Sequence, residues 1–176
     1  MSSKHILLVE DELDISDLIK LQLNGLGHEV TVIPNGTQAI EFIQTPPIER
    51  ESNTPIDLFI LDRMLPGATG IEVCKFLRLF TYTKSSPILF VTALTNPEQI
   101  IEGLDSGADD YITKPFDLNI LTARVNSLLR RSEFLKKTSY RNDYISLGPI
   151  SLDLEQCKVS IDGKPIDLTL SEYKLM

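Results

Sequence analysis

Cysteine and histidine are scarce in this 176-residue chain, with two of each. Cys74 and Cys157 stand far apart with no CxxC spacing, so neither a zinc site nor a disulfide framework is indicated. His5 and His28 lie apart beside strand-like runs, so a metal or phosphorelay role is not expected and both read as structural or exposed. No apolar run approaches the roughly 18 residues of a membrane helix, and the N-terminus lacks a signal-peptide layout. The expectation is a soluble, cytoplasmic protein with no membrane partner. Positive charge is also short: up to Arg131 there are 11 Lys and Arg against 18 Asp and Glu, and beyond it six against seven. Neither half has the basic excess of a nucleic-acid surface.

What is present is an alternation. From residue 5 to 131 short aliphatic runs alternate with helical patterns, the signature of strand–helix units around a parallel sheet. The expected strands are His5 to Val9, Glu29 to Ile33, Ile56 to Leu61, Ile88 to Val91 and Tyr111 to Thr113. Their β-branched and aliphatic content suits strands covered on both faces. The expected helices carry Ile15, Leu18, Ile19, Leu23 and Leu26; residues 37–44; Ile71, Cys74 and Leu77; a start at Asn96-Pro97; and Leu118, Leu121, Val125, Leu128 and Leu129 after an Asp117 cap.

The stretch Thr45 to Pro55 is polar, proline-bounded and unusually long for a connection, so an exposed loop is expected. The pattern fails again over residues 132–144, which predicts a linker. After it, Pro149 to Asp153, Lys158 to Ile161 and Lys164 to Leu168 read as short antiparallel strands, with Asp162-Gly163 as a tight turn. Thr169-Leu170-Ser171-Glu172 fits a capping box opening a helix. Three parts follow: a domain over 1–131, a linker over 132–144, and the start of a second domain over 145–176 that the chain end at Met176 cuts off.

Functional groups recur where strands end. Asp62 closes the run Leu58 to Leu61, the acidic cluster Glu10-Asp11-Glu12 follows the first strand, Thr92 follows Val91, and Lys114 follows Tyr111 to Thr113. In an open parallel sheet such positions face one crevice. A carboxylate there can attack phosphorus and form an acyl phosphate, a reaction that needs neutralised charge more than a general base. Mg2+ suits this oxygen-rich setting. Asp11, Asp62 and the Met64 backbone carbonyl would bind it directly, and Glu10 through water. Lys114 would pair with Asp62 at rest and with a phosphoryl oxygen afterwards, and the Thr92 hydroxyl would donate to another.

The segments ILLVEDE, LFILDRMLPGATGIEV, FVTALT and GADDYITKPF resemble the receiver domain of two-component response regulators, over residues 4–131. The tail from LGPISLDLEQ to LTLSEYKLM resembles the N-terminal sheet and first helix start of the winged-helix effector domain in the OmpR/PhoB subfamily. The resemblance implies a doubly wound sheet of order 2-1-3-4-5 followed by a truncated antiparallel sheet. It implies Mg2+-dependent phosphotransfer from a sensor histidine kinase to Asp62, in a phosphoacceptor switch that is not itself an enzyme. Thr92 and Tyr111 would form the switch pair. A homodimer would form on phosphorylation, and promoter DNA would be bound by a full-length parent, not by a chain lacking the recognition helix.

The subfamily's dimer face lies on the fourth helix, fifth strand and fifth helix. There a usually basic position is Ile100 and its acidic partner is Ile120, so an apolar contact replaces an ion pair. Arg124 matches a family arginine, with Asp109 or Asp110 as its expected partner. Arg63, beside Asp62, is expected to affect the lifetime of the acyl phosphate through attacking water. Two competing readings are an aspartate-nucleophile phosphotransferase, which would want a second Asp where Met64 stands, and a phosphorylation-independent interaction module, against which the intact site residues argue.

Overall fold

The computed structural model describes residues 3–45, 55–94, 96–142, 144–153, 158–161 and 164–166. The chain divides into two compact units, Met1–Ser132 and Glu133–Met176. In the first, strands β1 (His5–Val9), β2 (Glu29–Ile33), β3 (Leu58–Leu61), β4 (Ile88–Thr92) and β5 (Asp110–Thr113) form one sheet in the order β2-β1-β3-β4-β5, every pairing parallel. Between them run helices α1 (Leu13–Gly25), α2 (Gly36–Gln44), α3 (Gly70–Leu77) and α4 (Pro97–Asp105), and α5 (Leu118–Asn142) follows β5.

Residue parity along the strands sorts the core into two layers, as the two-residue period of a pleated strand requires. Ile6, Leu8, Leu58, Ile60, Leu89, Val91 and Ile112 pack with Ile19 and Leu23 of α1 and Leu121, Val125, Leu128 and Leu129 of α5. Leu7, Val9, Phe59, Leu61, Phe90 and Tyr111 pack with Ala39 and Ile43 of α2 and Val73, Cys74 and Leu77 of α3. Strands β1, β3 and β4 are buried along their whole length, so their near-continuous apolar runs have a physical cause.

Caps fix the helix starts. Asn35 opens α2 by accepting from the backbone N–H of Thr37 at 2.8 Å and Gln38 at 3.2 Å. Thr69 and Glu72 form a reciprocal capping box on α3, Asn96 accepts from Glu98 at 3.0 Å with Pro97 following, and Asp117 accepts from Asn119 at 2.6 Å. Two glycines let the loop after β3 close on its neighbours. A Cβ on Gly36 would fall 1.8 Å from the Ala68 carbonyl oxygen, and one on Gly70 would fall 2.0 Å from that of Asp62.

The expected linker differs from the structure: α5 continues to Asn142 through most of residues 132–144. The residues there include good helix formers and neither proline nor glycine, and intrinsic propensity sustains a helix where the apolar periodicity lapses. The second unit is a four-stranded antiparallel sheet, β6 (Tyr144–Leu147), β7 (Ile150–Asp153), β8 (Lys158–Ile161) and β9 (Lys164–Ile166). Strand β6 was not expected. Leu147 pairs with Ile150 across a two-residue connection that begins with Gly148 at φ +61°. Ile161 pairs with Lys164, flanking the predicted Asp162-Gly163 turn. The turn itself, residues 46–54 of the expected loop, Cys157 and the expected helix start at residues 169–172 lie outside the described residues.

Candidate functional site

Asp62, Glu10, Lys114 and Thr92 meet at the carboxyl ends of β3, β1, β5 and β4, because parallel strands bring all their C-terminal ends to one edge. The Lys114 Nζ donates to Asp62 Oδ2 at 2.6 Å, to Glu10 Oε1 at 2.9 Å and to Glu12 Oε1 at 3.1 Å. The other Asp62 oxygen accepts from the Met64 backbone N–H at 3.0 Å. Asp62 and Glu10 are buried, Asp11 lies exposed at the rim, and the Met64 side chain is exposed. Thr92 is wholly buried, its Oγ1 accepting from Leu94 N at 3.4 Å. Its carbonyl accepts from Lys114 N at 2.8 Å, which ties β4 to the residue carrying the ammonium.

Burial raises the Glu10 carboxyl above its ordinary 4.5, and the hydrogen bond and charge of Lys114 only partly counter it. At Lys114 burial opposes the charge, but the hydrogen bonds to Asp62, Glu10 and Glu12 outweigh it and the pKa is raised. The ammonium therefore stays charged at any physiological pH. Glu12, known from the sequence as part of the acidic cluster, turns out to be the third partner of Lys114. It leaves the start of α1 without a side-chain cap.

The donor set fits a hard divalent cation. Oxygens of Glu10, Asp11 and Asp62 lie within 4.8 Å of one another. Glu10 Oε2, though 2.9 Å from the ammonium, is buried and has no hydrogen-bond partner. Buried polar atoms are rarely left so, and a carboxylate-only cluster offers the oxygen ligands such ions prefer.

Tyr111 is buried, its ring 6.2 Å from that of Phe90 and its hydroxyl donating to the Leu94 carbonyl at 2.6 Å. Burial raises its pKa, and Arg63 acts in the opposite sense. Arg63 is itself buried and turned onto α4, with Nη2 2.6 Å from Glu102 Oε2 and Nη1 donating to the Gln99 carbonyl. In this arrangement the guanidinium is engaged by α4. The sequence could not have shown this strap, because its partners lie more than 30 residues away.

Of the residues assigned to a dimer face, Ile120 is 53% exposed and Ile100 partly buried, and both line one groove with Tyr111 and Arg124. Arg124 pairs with Asp110 at 2.8 Å within the chain. Asp109, the other expected partner, is held instead by Arg78 at 2.9 Å and by the backbone N–H of Ile88 at 2.9 Å. Consecutive residues at the start of a strand point to opposite sides, so only one of the two can face α5. His5 and His28 are buried, away from the acidic site, with His5 Nε2 2.8 Å from Thr31 Oγ1.

A parallel sheet of this order, with a carboxylate, an acidic pair and a lysine at its C-terminal edge, is a receiver-type arrangement. The response regulator receiver domain model matches residues 6–126, and the chain belongs to that family. It is 36% identical to the response regulator ArlR of Staphylococcus saprophyticus, over 97% of this chain and 70% of that protein. It is 37% identical to the DNA-binding dual master transcriptional regulator RpaA of a Synechocystis strain, over 97% and 68%. The crystal structure of DrrB, a Thermotoga maritima OmpR/PhoB homolog, superposes with a TM-score of 0.59 at 27% identity, over 98% of this chain and 70% of that one. The chain spans 66 to 70% of the length of the relatives it matches. It is a response regulator of the two-component type, and among the described residues no helix is long and apolar enough to cross a membrane.

Proposed function

We propose that Asp62 is the phosphoacceptor and that a sensor histidine kinase is its donor. An Asp62 oxygen attacks phosphorus, the P–N bond to the donor histidine breaks, the imidazole nitrogen keeps the electron pair, and an acyl phosphate forms. The observation that carries this reading is the buried Lys114 ammonium bridging Asp62 and Glu10. It neutralises the resting carboxylates and stands ready for a phosphoryl oxygen. Mg2+ would supply further neutralisation, held by Asp11, Asp62 and the Met64 carbonyl, with Glu10 through water. Thr92 would then donate to the phosphoryl group and Tyr111 would report the change, so the chain works as a switch and not as a turnover enzyme.

The domain reading of 1–131, a connector over 132–144 and an effector fragment from 145 fits a cytoplasmic transcription regulator whose full-length parent binds promoter DNA. Phosphorylation would favour a homodimer through Ile100, Ile120 and Arg124. Two apposed isoleucines contribute a few kcal/mol at about 25 cal/mol per Å² buried, whereas an exposed ion pair gives at most about 1. The dimer is therefore expected to tolerate high salt and to fail in Ile120→Glu. Sedimentation of the phosphorylated chain in low and high salt checks both.

The primary test is intact mass after incubation with acetyl phosphate. One phosphoryl gain that requires both Mg2+ and Asp62, absent in Asp62→Ala, is the expected result. No gain in the wild type would favour the phosphorylation-independent module.

A further inference from the structure

Helix α4 is held to the first unit by few fastenings. Gly103 is the one residue that the helix buries, lying flat on the rings of Tyr111 and Phe90. Just beyond its C-terminal end the chain is clamped, since the Arg78 guanidinium donates to the Gly107 carbonyl at 2.6 and 2.9 Å and Cys74 Sγ lies 3.5 Å from the Ser106 carbonyl. Its middle is gripped by Arg63, which reaches both Glu102 and the Gln99 carbonyl. The loop leading into the helix is tied to the Tyr111 hydroxyl through Leu94. Such a helix is anchored at its C-terminal end and strapped at its middle by the residue covalently next to Asp62.

We propose that Arg63 is a latch on α4, closed on Glu102 while Asp62 carries no phosphoryl group and drawn off it by the added negative charge once Asp62 is phosphorylated. The two partners of the latch are unequal. Arg63 is 7% exposed and Glu102 is 61% exposed. A buried guanidinium requires an acceptor, whereas the Glu102 carboxylate regains water at little cost when released. An acyl phosphate beside Arg63 supplies nearly two charges and strong acceptor oxygens, which a guanidinium binds in bidentate fashion. Exchange of one acceptor for the other keeps the buried cation satisfied and frees α4 to pivot on its clamped end. The device explains why a cation this deeply buried stands directly after the phosphoacceptor and spends its bonds on a helix more than 30 residues away in sequence. The proposal rests on Asp62 as phosphoacceptor.

Hydrogen exchange of the 97–105 segment tests it, read beside the 70–77 segment in wild type and in Glu102→Gln, with and without acetyl phosphate and Mg2+. Intact mass is measured on the same samples. Without the donor, α4 in Glu102→Gln is expected to exchange about five-fold faster than in wild type, the ratio one partly exposed ion pair sustains, while α3 is unchanged. Phosphorylation is expected to quicken α4 in wild type and to add little in the variant. Equal α4 exchange in the two unphosphorylated proteins overturns the latch, as does an equal response of both to phosphorylation. If wild type gains no phosphoryl mass, the Asp62 assignment falls, and the unphosphorylated comparison alone decides whether the latch exists.

Discussion

Helices α3 and α4 belong to the same layer, on either side of the tract that carries Phe90 and Tyr111, yet they are attached in opposite ways. Helix α3 buries Gly70, Val73, Cys74 and Leu77, half of its eight residues, and begins in a complete capping box. Helix α4 fully buries Gly103 alone of nine, rests the partly buried Ile100 on the same layer, and adds a polar fastening from Arg63, with Arg78 holding the chain just beyond its end. Apolar burial is non-directional and is lost only when the helix leaves the core, whereas an ion pair with one exposed partner exchanges at little cost. One helix is built as a wall of the site and the other as its movable part.

Glycine substitution should break this comparison most visibly. A Cβ at Gly70 would stand 2.0 Å from the Asp62 carbonyl oxygen and 2.9 Å from the Arg63 Cα, both backbone atoms that cannot yield without displacing the site. Gly70→Ala is expected to lower stability by about 2–3 kcal/mol in urea titration. At Gly103 the nearest atoms are ring carbons of Tyr111 and Phe90 at 3.4 to 3.6 Å, ordinary contact. Gly103→Ala should therefore raise stability by about 0.5–1 kcal/mol through helix propensity. Losses of similar size at both positions would mean that α4 is as firmly seated as α3.

The caps give a smaller contrast. Thr69→Ala and Asn96→Ala each remove a side-chain acceptor from helix N–H groups, worth about 1 kcal/mol. The first should appear in global unfolding, because α3 opens only with the core. The second should appear as faster exchange confined to α4, with the global midpoint nearly unmoved.

Acid should separate them least. Hydrogen bonds from the backbone and side chain of Thr69 hold the Glu72 carboxyl below its ordinary 4.5, so its contribution is present above that value and is lost as pH falls through the lower folded pKa. The Asn96 cap has no titrating group. As pH falls from 4.5 through the lower folded value, α3 of wild type should lose protection that Glu72→Gln lacks throughout, whereas α4 should respond alike in the two proteins.

The positions of the site groups were legible because each sits one step past an apolar run, and strand ends in a parallel sheet converge whatever the intervening helices do. Asp62, Glu10, Lys114 and Thr92 come together for that reason. The strap from Arg63 was not legible, since it depends on the direction of one long side chain across elements remote in sequence. Nor was the bond from Asp109 to Arg78, which is decided by which of two adjacent aspartates a strand turns outward. Helix α5 outran its pattern because periodicity marks a buried stripe and says little about a helix that continues where that stripe lapses. Strand β6 is four residues long, adjoins the expected linker and offered little pattern to find.

The sorting of core side chains by strand parity has a consequence for how this chain could diversify. Phe90 and Tyr111 are register partners facing α3 and α4, while their neighbours Val91 and Ile112 face α1 and α5. The sheet thereby acts as an insulating partition. A core substitution beside α1 therefore meets a different cluster of side chains from one beside α3, so a lineage could repack one layer while leaving the other as it stands.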